Sequence, residues 1–354
     1  MAPRLRRQDS AGLRGLGRAV LALLALALAP AAAIADAPIA VSPPPGPRPI
    51  VVVASVYLLN LVSIDDREET FDADLYLDLS WRDPRLAFEP SAGEPPTRIY
   101  QGDAAASELG EIWWPDLEFV NAASPELTNQ EITILANGTV RYRIGLSATF
   151  RTSLDLHRFP FDEQRLGVRL QSFEGDTSLV VFEPDHRRLG FNREDDYAGL
   201  EILSVAASTR TTSVEGWDEN FSELVFEILV RRSPTFYIWT VFVPVTLVLL
   251  LSCTIFFVDI EGFHDRVAIA LACFLACVAT QFAMSFNLPR ISYLTPVDRL
   301  FLLAYGCMSL GVAVSVWQKT SLRNAPETLE RTDRIAALAI PALYAAGIVL
   351  VVLP

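Results

Sequence analysis

The chain of 354 residues is 51% hydrophobic and 20% charged, with a net charge of −13 and a mean hydropathy of +0.31. Residues 38–232 hold 33 Asp/Glu against 17 Lys/Arg, while residues 233–354 hold seven of each. That split excludes a single soluble domain, and a surplus of −16 on the main polar segment argues against nucleic acid as a partner, since its field repels polyanions and attracts cations.

Residues 1–18 carry five Arg, and residues 19–35 are apolar and small. With the A-x-A ending Ala35-Asp36-Ala37, this order predicts a secretory signal peptide over 1–37, cut near Ala35 or Ala37. An uncleaved anchor is the alternative, and Pro30 and the short run count against it. A Pro-rich lead-in over 38–49 contains SPPPGPRP, which cannot sit in a helix or a central strand.

From Ile50 to Arg232 the pattern is strand-like. In residues 73–81, Leu75, Leu77 and Leu79 alternate with Asp74, Tyr76, Asp78 and Ser80, a period-2 signal. Residues 138–150, 165–173, 178–183, 199–206 and 221–231 also read as strands, separated by turns such as Asn137-Gly138 and Glu215-Gly216. Many strands with frequent turns predict an antiparallel, immunoglobulin-like β-sandwich over 50–232. All four cysteines (Cys253, Cys273, Cys277, Cys307) lie beyond it, so no disulfide holds this domain and it relies on its own core, which a segment of this length can bury.

Residues 233–354 read as an all-α membrane domain. Residues 236–258, 267–285, 300–317 and 335–353 are uncharged runs of 23, 19, 18 and 19 residues, each able to span about 30 Å of hydrocarbon. Four such runs argue against buried core helices. An exported amino end puts the β-domain outside. The loop from Lys319 to Arg334 then faces the cytoplasm with Lys319, Arg323, Arg331 and Arg334, as the positive-inside rule requires. That link is too short for a cytoplasmic enzyme domain.

Several ordered motifs now resemble one family, the pentameric ligand-gated ion channels (the Cys-loop receptor superfamily) in their bacterial form. Phe159-Pro160-Phe161-Asp162 lies between Thr152 and Leu166, which occupy the two cysteine positions of the animal loop. Trp113-Trp114-Pro115-Asp116 matches W-x-P-D, and Tyr76 to Trp81 followed by Asp83-Pro84-Arg85 matches a strand with two spaced aromatics. Arg232 and Pro244 match positions before and inside the first span, and Asn287 to Tyr293 matches the linker after the second. The resemblance covers residues 50–353.

It implies a homopentamer in a bacterial inner membrane, with its β-domain on the periplasmic side and a ligand site between subunits. By counting from the motifs, the site's aromatics are Phe173 and Phe221, with Tyr76 from the neighbouring subunit; Trp217 sits at the hairpin tip, and Phe119 follows the WWPD motif, although the family's usual position is nearer Val120. Aromatic faces attract organic cations by roughly 0.5–2 kcal/mol, and Glu118, Glu174, Asp176, Glu215, Asp218 and Glu219 lie beside them. An amine agonist is therefore expected, with protons as the alternative. Each aromatic other than Tyr76, which sits on the polar face of its strand, has a competing reading as core. Trp81 and Trp113 are assigned to the core.

The second span is expected to line the pore through Asp265, Ala268, Ala272, Leu275, Ala279 and Phe282, with Leu275 at the gate and Phe282 as an upper ring. Ala268 and Ala272 depart from the hydroxylated residues usual there. Asp265, followed by Arg266, resembles the cation-selective members, and His264 beside it could tune the ring with pH. Coupling of binding to gating is expected at Asp66, Phe159, Pro160, Asp162 and Arg232, beside Pro289 and Arg290. His157 and His186 are read as surface residues. No residue pattern points to catalysis, a metal or a cofactor. The expected function is a cation-selective, ligand-gated channel; an anion channel of the same family and a non-conducting solute sensor are the alternatives.

Overall fold

The computed structural model describes residues 41–91, 93–173, 175–193, 199–213, 219–286, 291–321 and 326–352. The expected signal peptide, Glu174, Glu215, Trp217, Asp218, Pro289 and Arg290 lie outside them. Among the described residues eleven strands come first: β1 Ile50–Asp65, β2 Thr70–Arg82, β3 Thr97–Gln101, β4 Leu117–Phe119, β5 Ala122–Leu135, β6 Thr139–Arg151, β7 Glu163–Ser172, β8 Val180–Pro184, β9 Gly190–Phe191, β10 Leu200–Ser213 and β11 Asn220–Arg232. They form two sheets, one ordered β3-β5-β6-β2-β1-β8 with β9 also on β1, the other β10-β11-β7-β4.

The sandwich follows from alternation. On β2 the residues Phe71, Ala73, Leu75, Leu77, Leu79 and Trp81 are buried, and the residues between them are half-buried on the other face. Leu75 and Leu77 meet Val168, Leu170, Leu224 and Phe226 of the second sheet around a void of about 10 Å³. Trp81 and Trp113 pack edge to face in this core, centroids 6.1 Å apart. The β5–β6 turn needs Gly138: its φ is +78°, and a Cβ there would lie 2.5 Å from the Asp83 carbonyl oxygen.

Two features depart from expectation. β8 and β9 run parallel to β1, because the chain leaves the second sheet at β7 and crosses over to reach the first. A short helix, α1 Asp103–Leu109, interrupts the strands; three consecutive alanines favour it, with Ala105 buried beneath.

Four helices follow: α2 Thr235–Phe257, α3 Phe263–Ser285, α4 Pro296–Ser321 and α5 Pro326–Val352. All four are long and apolar enough to cross a membrane. A π-helical turn, Ile238–Phe242, occupies α2 just before Pro244. Proline has no N–H to donate and its ring crowds the carbonyl four residues back, and the wider turn relieves both. α4 and α5 are longer than their apolar runs. Both helices therefore run into the expected 319–334 loop, with Lys319, Arg331 and Arg334 on helix ends. α4 starts at a reciprocal cap, in which Asp298 Oδ2 accepts from the Thr295 N–H at 2.9 Å and the Asp298 N–H donates to Thr295 Oγ1 at 3.2 Å.

Candidate functional site

Three groups of residues were singled out by sequence, and the structure treats them differently. Tyr76 stands half-buried on the outward face of β2, opposite Tyr57 on one side and Gly145 on the other. A Cβ on Gly145 would meet Thr128 Oγ1 at 2.6 Å and the Thr128 carbonyl oxygen at 3.2 Å, so glycine leaves space for Thr128 of β5, while the Tyr76 ring lies at ordinary contact distance. Tyr76 and Tyr57 line an open hollow of about 900 Å³ with Asp78, Arg141, Arg143 and Arg188. Asp78 is paired there, accepting from Arg143 Nη2 at 3.0 Å with Arg141 Nε at 3.7 Å.

Phe173 is 66% exposed at the end of β7, on the other sheet, and its N–H donates to the Asp116 carbonyl at 2.7 Å. Tyr76 and Phe173 are thus not brought together within one chain. Two assignments need correction. Phe119 packs against the core and faces the void between the sheets, because alternation on β4 sends Glu118 outward and Phe119 inward. Phe221 is 6% exposed and offers almost no ring surface to a ligand, since it sits inside the β10–β11 ladder opposite Thr212 and not at the hairpin tip. Counting from a motif finds a position along a strand but not which way its side chain faces.

Beside this surface Glu223 is fully buried between Arg169 and Arg210. Arg169 Nε donates to its Oε1, and Arg210 Nη2 does so at 3.0 Å. Burial pushes this carboxyl up, but hydrogen bonds from the two guanidinium groups outweigh that and hold it below the usual carboxylate range.

On α3 the expected pore stripe shares one feature. Asp265, Ala268, Ala272, Leu275, Ala279 and Phe282 are all exposed, Leu275 at 65% and Phe282 at 64%. His264 and Leu271 are exposed as well. The opposite face, Arg266, Ala270, Cys273, Cys277 and Met284, is buried against the other helices.

At the junction of the two domains, Asp66, Asp162 and Arg232 form one cluster. Arg232 Nη2 and Nη1 donate to the two Asp66 carboxylate oxygens at 2.6 and 3.0 Å, and Nε donates to Asp162 Oδ1 at 3.2 Å. Gln164 donates to the other Asp162 oxygen. The three charged side chains are at most 9% exposed. Burial pushes the Asp66 carboxyl above its ordinary value, and the neighbouring Arg232 offsets this only in part. Burial works against the Arg232 charge, yet the two carboxylates hold it above its usual value. Phe159 lies buried under the guanidinium, 5.1 Å from its carbon, and meets Tyr237 of α2 edge to face at 4.7 Å. Phe161 meets Phe242 in the same way at 6.0 Å.

A second bridge crosses this junction and was not read from sequence. The Leu156 N–H donates to the Tyr293 hydroxyl at 3.0 Å, and the His157 ring stacks on the Tyr293 ring at 3.6 Å. His157 Nδ1 lies 2.7 Å from Asp155 Oδ1, and the His157 backbone N–H and ring together lower the Asp155 carboxyl. His157 is a surface residue, but its ring covers Tyr293. The only sequence signal for this was the aromatic closing the 287–293 linker motif.

Residues 40–234 match the neurotransmitter-gated ion-channel ligand binding domain, slightly more than half of the chain. The chain is 28% identical over 297 residues to the proton-gated ion channel of Gloeobacter violaceus, which covers 83% of this chain and 80% of that one. It is 26% identical over 250 residues to the gamma-aminobutyric acid receptor subunit pi of Rattus norvegicus, covering 68% of this chain and 54% of that subunit. It is 22% identical over 314 residues to the rho-3 subunit of the same species, covering 82% and 65%. A ligand-binding β-sandwich followed by four membrane-length helices makes this chain a multi-pass membrane protein of the pentameric ligand-gated ion channel family.

Proposed function

We propose that five copies of this chain form a cation-selective channel opened by a small organic amine bound between neighbouring subunits. The observation that carries the reading is the exposed stripe of α3. A membrane helix that turns Asp265, Ala268, Ala272, Leu275, Ala279 and Phe282 away from its own bundle can line a shared axis, which closed rotational symmetry supplies. Five Leu275 side chains meeting there exclude water and hold the gate closed without a plug. The Asp265 ring and the acidic outer domain then favour cations. Tyr76 and Phe173 lie on opposite sheets, so a neighbouring copy is what brings one to the other. Trp217 completes the aromatic set from the β10–β11 hairpin. Residues 1–37 are removed as a signal peptide, 38–49 lead into the sandwich of 50–232, and 233–354 form the channel domain. Asp66, Phe159, Pro160, Asp162 and Arg232, with Pro289 and Arg290, pass the binding signal to the gate.

Purified protein in planar bilayers, under a salt gradient and screened with small amines, tests this. Amine-evoked current reversing toward the cation potential is expected, and Phe173→Ala should raise the half-activating concentration roughly tenfold, about 1.4 kcal/mol. Reversal toward the chloride potential would favour an anion channel instead, and no current under any ligand a sensor. Protons are the second candidate agonist, supported by a relative named as proton-gated and by the raised Asp66 carboxyl at the junction. Asp66 accepts a proton at higher pH than an ordinary Asp, which dissolves its pair with Arg232. Acid-evoked current without amine selects this reading.

A further inference from the structure

At the end of the helix bundle far from the sandwich, a charged residue is buried that the pore reading leaves unused. Arg266 follows Asp265 in the first turn of α3. Neighbours on a helix point about 100° apart, and here the two residues part company: Asp265 is exposed, while the Arg266 side chain is 1% exposed. Its guanidinium is held on all sides. Nη2 and Nη1 donate to the Asp333 carboxylate at 2.9 and 3.0 Å, a bidentate pair. Nη1 also donates to Gln318 Oε1 at 3.0 Å, and Nε donates to the Val258 carbonyl at 2.7 Å. Gln318, itself fully buried, donates Nε2 to Asp333 Oδ1 at 3.0 Å. One arginine thus ties α3 to α4, to α5 and to the chain end of α2.

Ionisable groups inside membrane bundles are costly and persist where they are paired and have a use. An Arg side chain beside Asp265 is long and flexible enough to swing to the same mouth, where it would cancel the carboxylate charge for charge. We propose that Asp333 and Gln318 are positioning residues for ion selectivity: they hold the Arg266 guanidinium inside the bundle and neutralise it, so that Asp265 alone sets the charge of the pore mouth. The inference rests on the reading that Asp265 rings the mouth of a cation pore. It gives α5, a helix with no residue on the pore stripe and mostly exposed outside the bundle, a part in choosing the ion.

The test is the cation-to-chloride permeability ratio of full-length reconstituted channels under a salt gradient. Asp333→Asn leaves one uncompensated positive charge per subunit beside each Asp265, and the ratio should fall roughly tenfold, the lower end of what focused surface fields achieve. Arg266→Gln added to it removes that charge, and the ratio should recover. A merely structural pair would alter expression or gating but not the ratio, and the double variant would not restore what the single one lost. Should Asp333→Asn homopentamers fail to assemble, pentamers mixed with wild-type subunits should show a graded fall. An unmoved ratio in conducting Asp333→Asn or mixed channels overturns the proposal. Asp265→Asn separates this from the underlying reading. If it leaves the ratio unchanged, the cation reading itself fails; if it moves the ratio while Asp333→Asn does not, only the role of Asp333 fails.

Discussion

Arg232 and Arg231 are adjacent, and their surroundings separate two roles that adjacency alone would confuse. Arg231 is half-exposed and pairs with Glu163 at 2.8 Å, while Arg232 is buried between Asp66 and Asp162. Removing a buried partner strands its counter-charges, on the order of 3–5 kcal/mol, whereas exposed pairs contribute little. Arg232→Gln should therefore abolish agonist current while ligand binding persists, and Arg231→Gln should change both only mildly. Equal, mild effects on separately measured binding and current would leave both as lipid-headgroup anchors. Glu223 gives a prediction of the other kind. Its carboxyl is held below the ordinary value, so its stabilisation is complete above the unfolded value of about 4.5 and is lost as pH falls through the folded value. Glu223→Gln should lower stability by about 1–3 kcal/mol near neutrality. Thermal unfolding followed from pH 7 downward should find the two proteins converging in acid; parallel curves would deny the ion pair its role. The Arg232 cluster was legible because each member sits at a fixed place in a motif. Phe119 and Phe221 were misassigned, because a position along the chain does not fix the side of the sheet. The Arg266–Asp333 pair could not be read at all, and the His157–Tyr293 stack was announced only by the aromatic closing its linker motif, since both join residues far apart in sequence with no periodicity to mark them.

The elements divide by the strength of their period. β2 was readable residue by residue, since Leu75, Leu77 and Leu79 are inside and Asp74, Tyr76 and Asp78 outside without a break. Helix α1, seven residues long, carries no such stripe. The membrane helices were found by hydropathy, yet hydropathy marks what lipid tolerates and not where the backbone bonds end. α4 and α5 continue past their apolar runs for that reason, and the Thr295–Asp298 cap was a readable start signal that hydropathy ignores. α3 carries the sharpest element-level expectation. With Leu275 on its exposed stripe, Leu275→Thr should hydrate the constriction and produce leak current or a lower half-activating concentration. Wild-type gating in a mutant of normal expression would move the gate elsewhere, with Phe282 the next bulky ring along the stripe.

At the scale of the molecule, two materials meet at one narrow seam. The acidic sandwich and the neutral bundle touch through the Phe159–Tyr237, Phe161–Phe242 and His157–Tyr293 ring pairs and the Leu156–Tyr293 hydrogen bond. The division was plain in the charge counts; the seam was only partly so, because stacking partners obey no spacing rule. A ligand moves the gate only by favouring one arrangement of such a seam over another, and aromatic faces can slide where hydrogen-bonded ladders cannot. The distribution of sulfur has a practical consequence. The chain holds four cysteines, and all four are buried among the helices. A water-soluble thiol reagent therefore finds nothing accessible to label on the folded wild-type protein. A cysteine introduced at Phe173, at Leu275 or at the hairpin would report its own exposure against a silent background, and a label there could follow opening in real time.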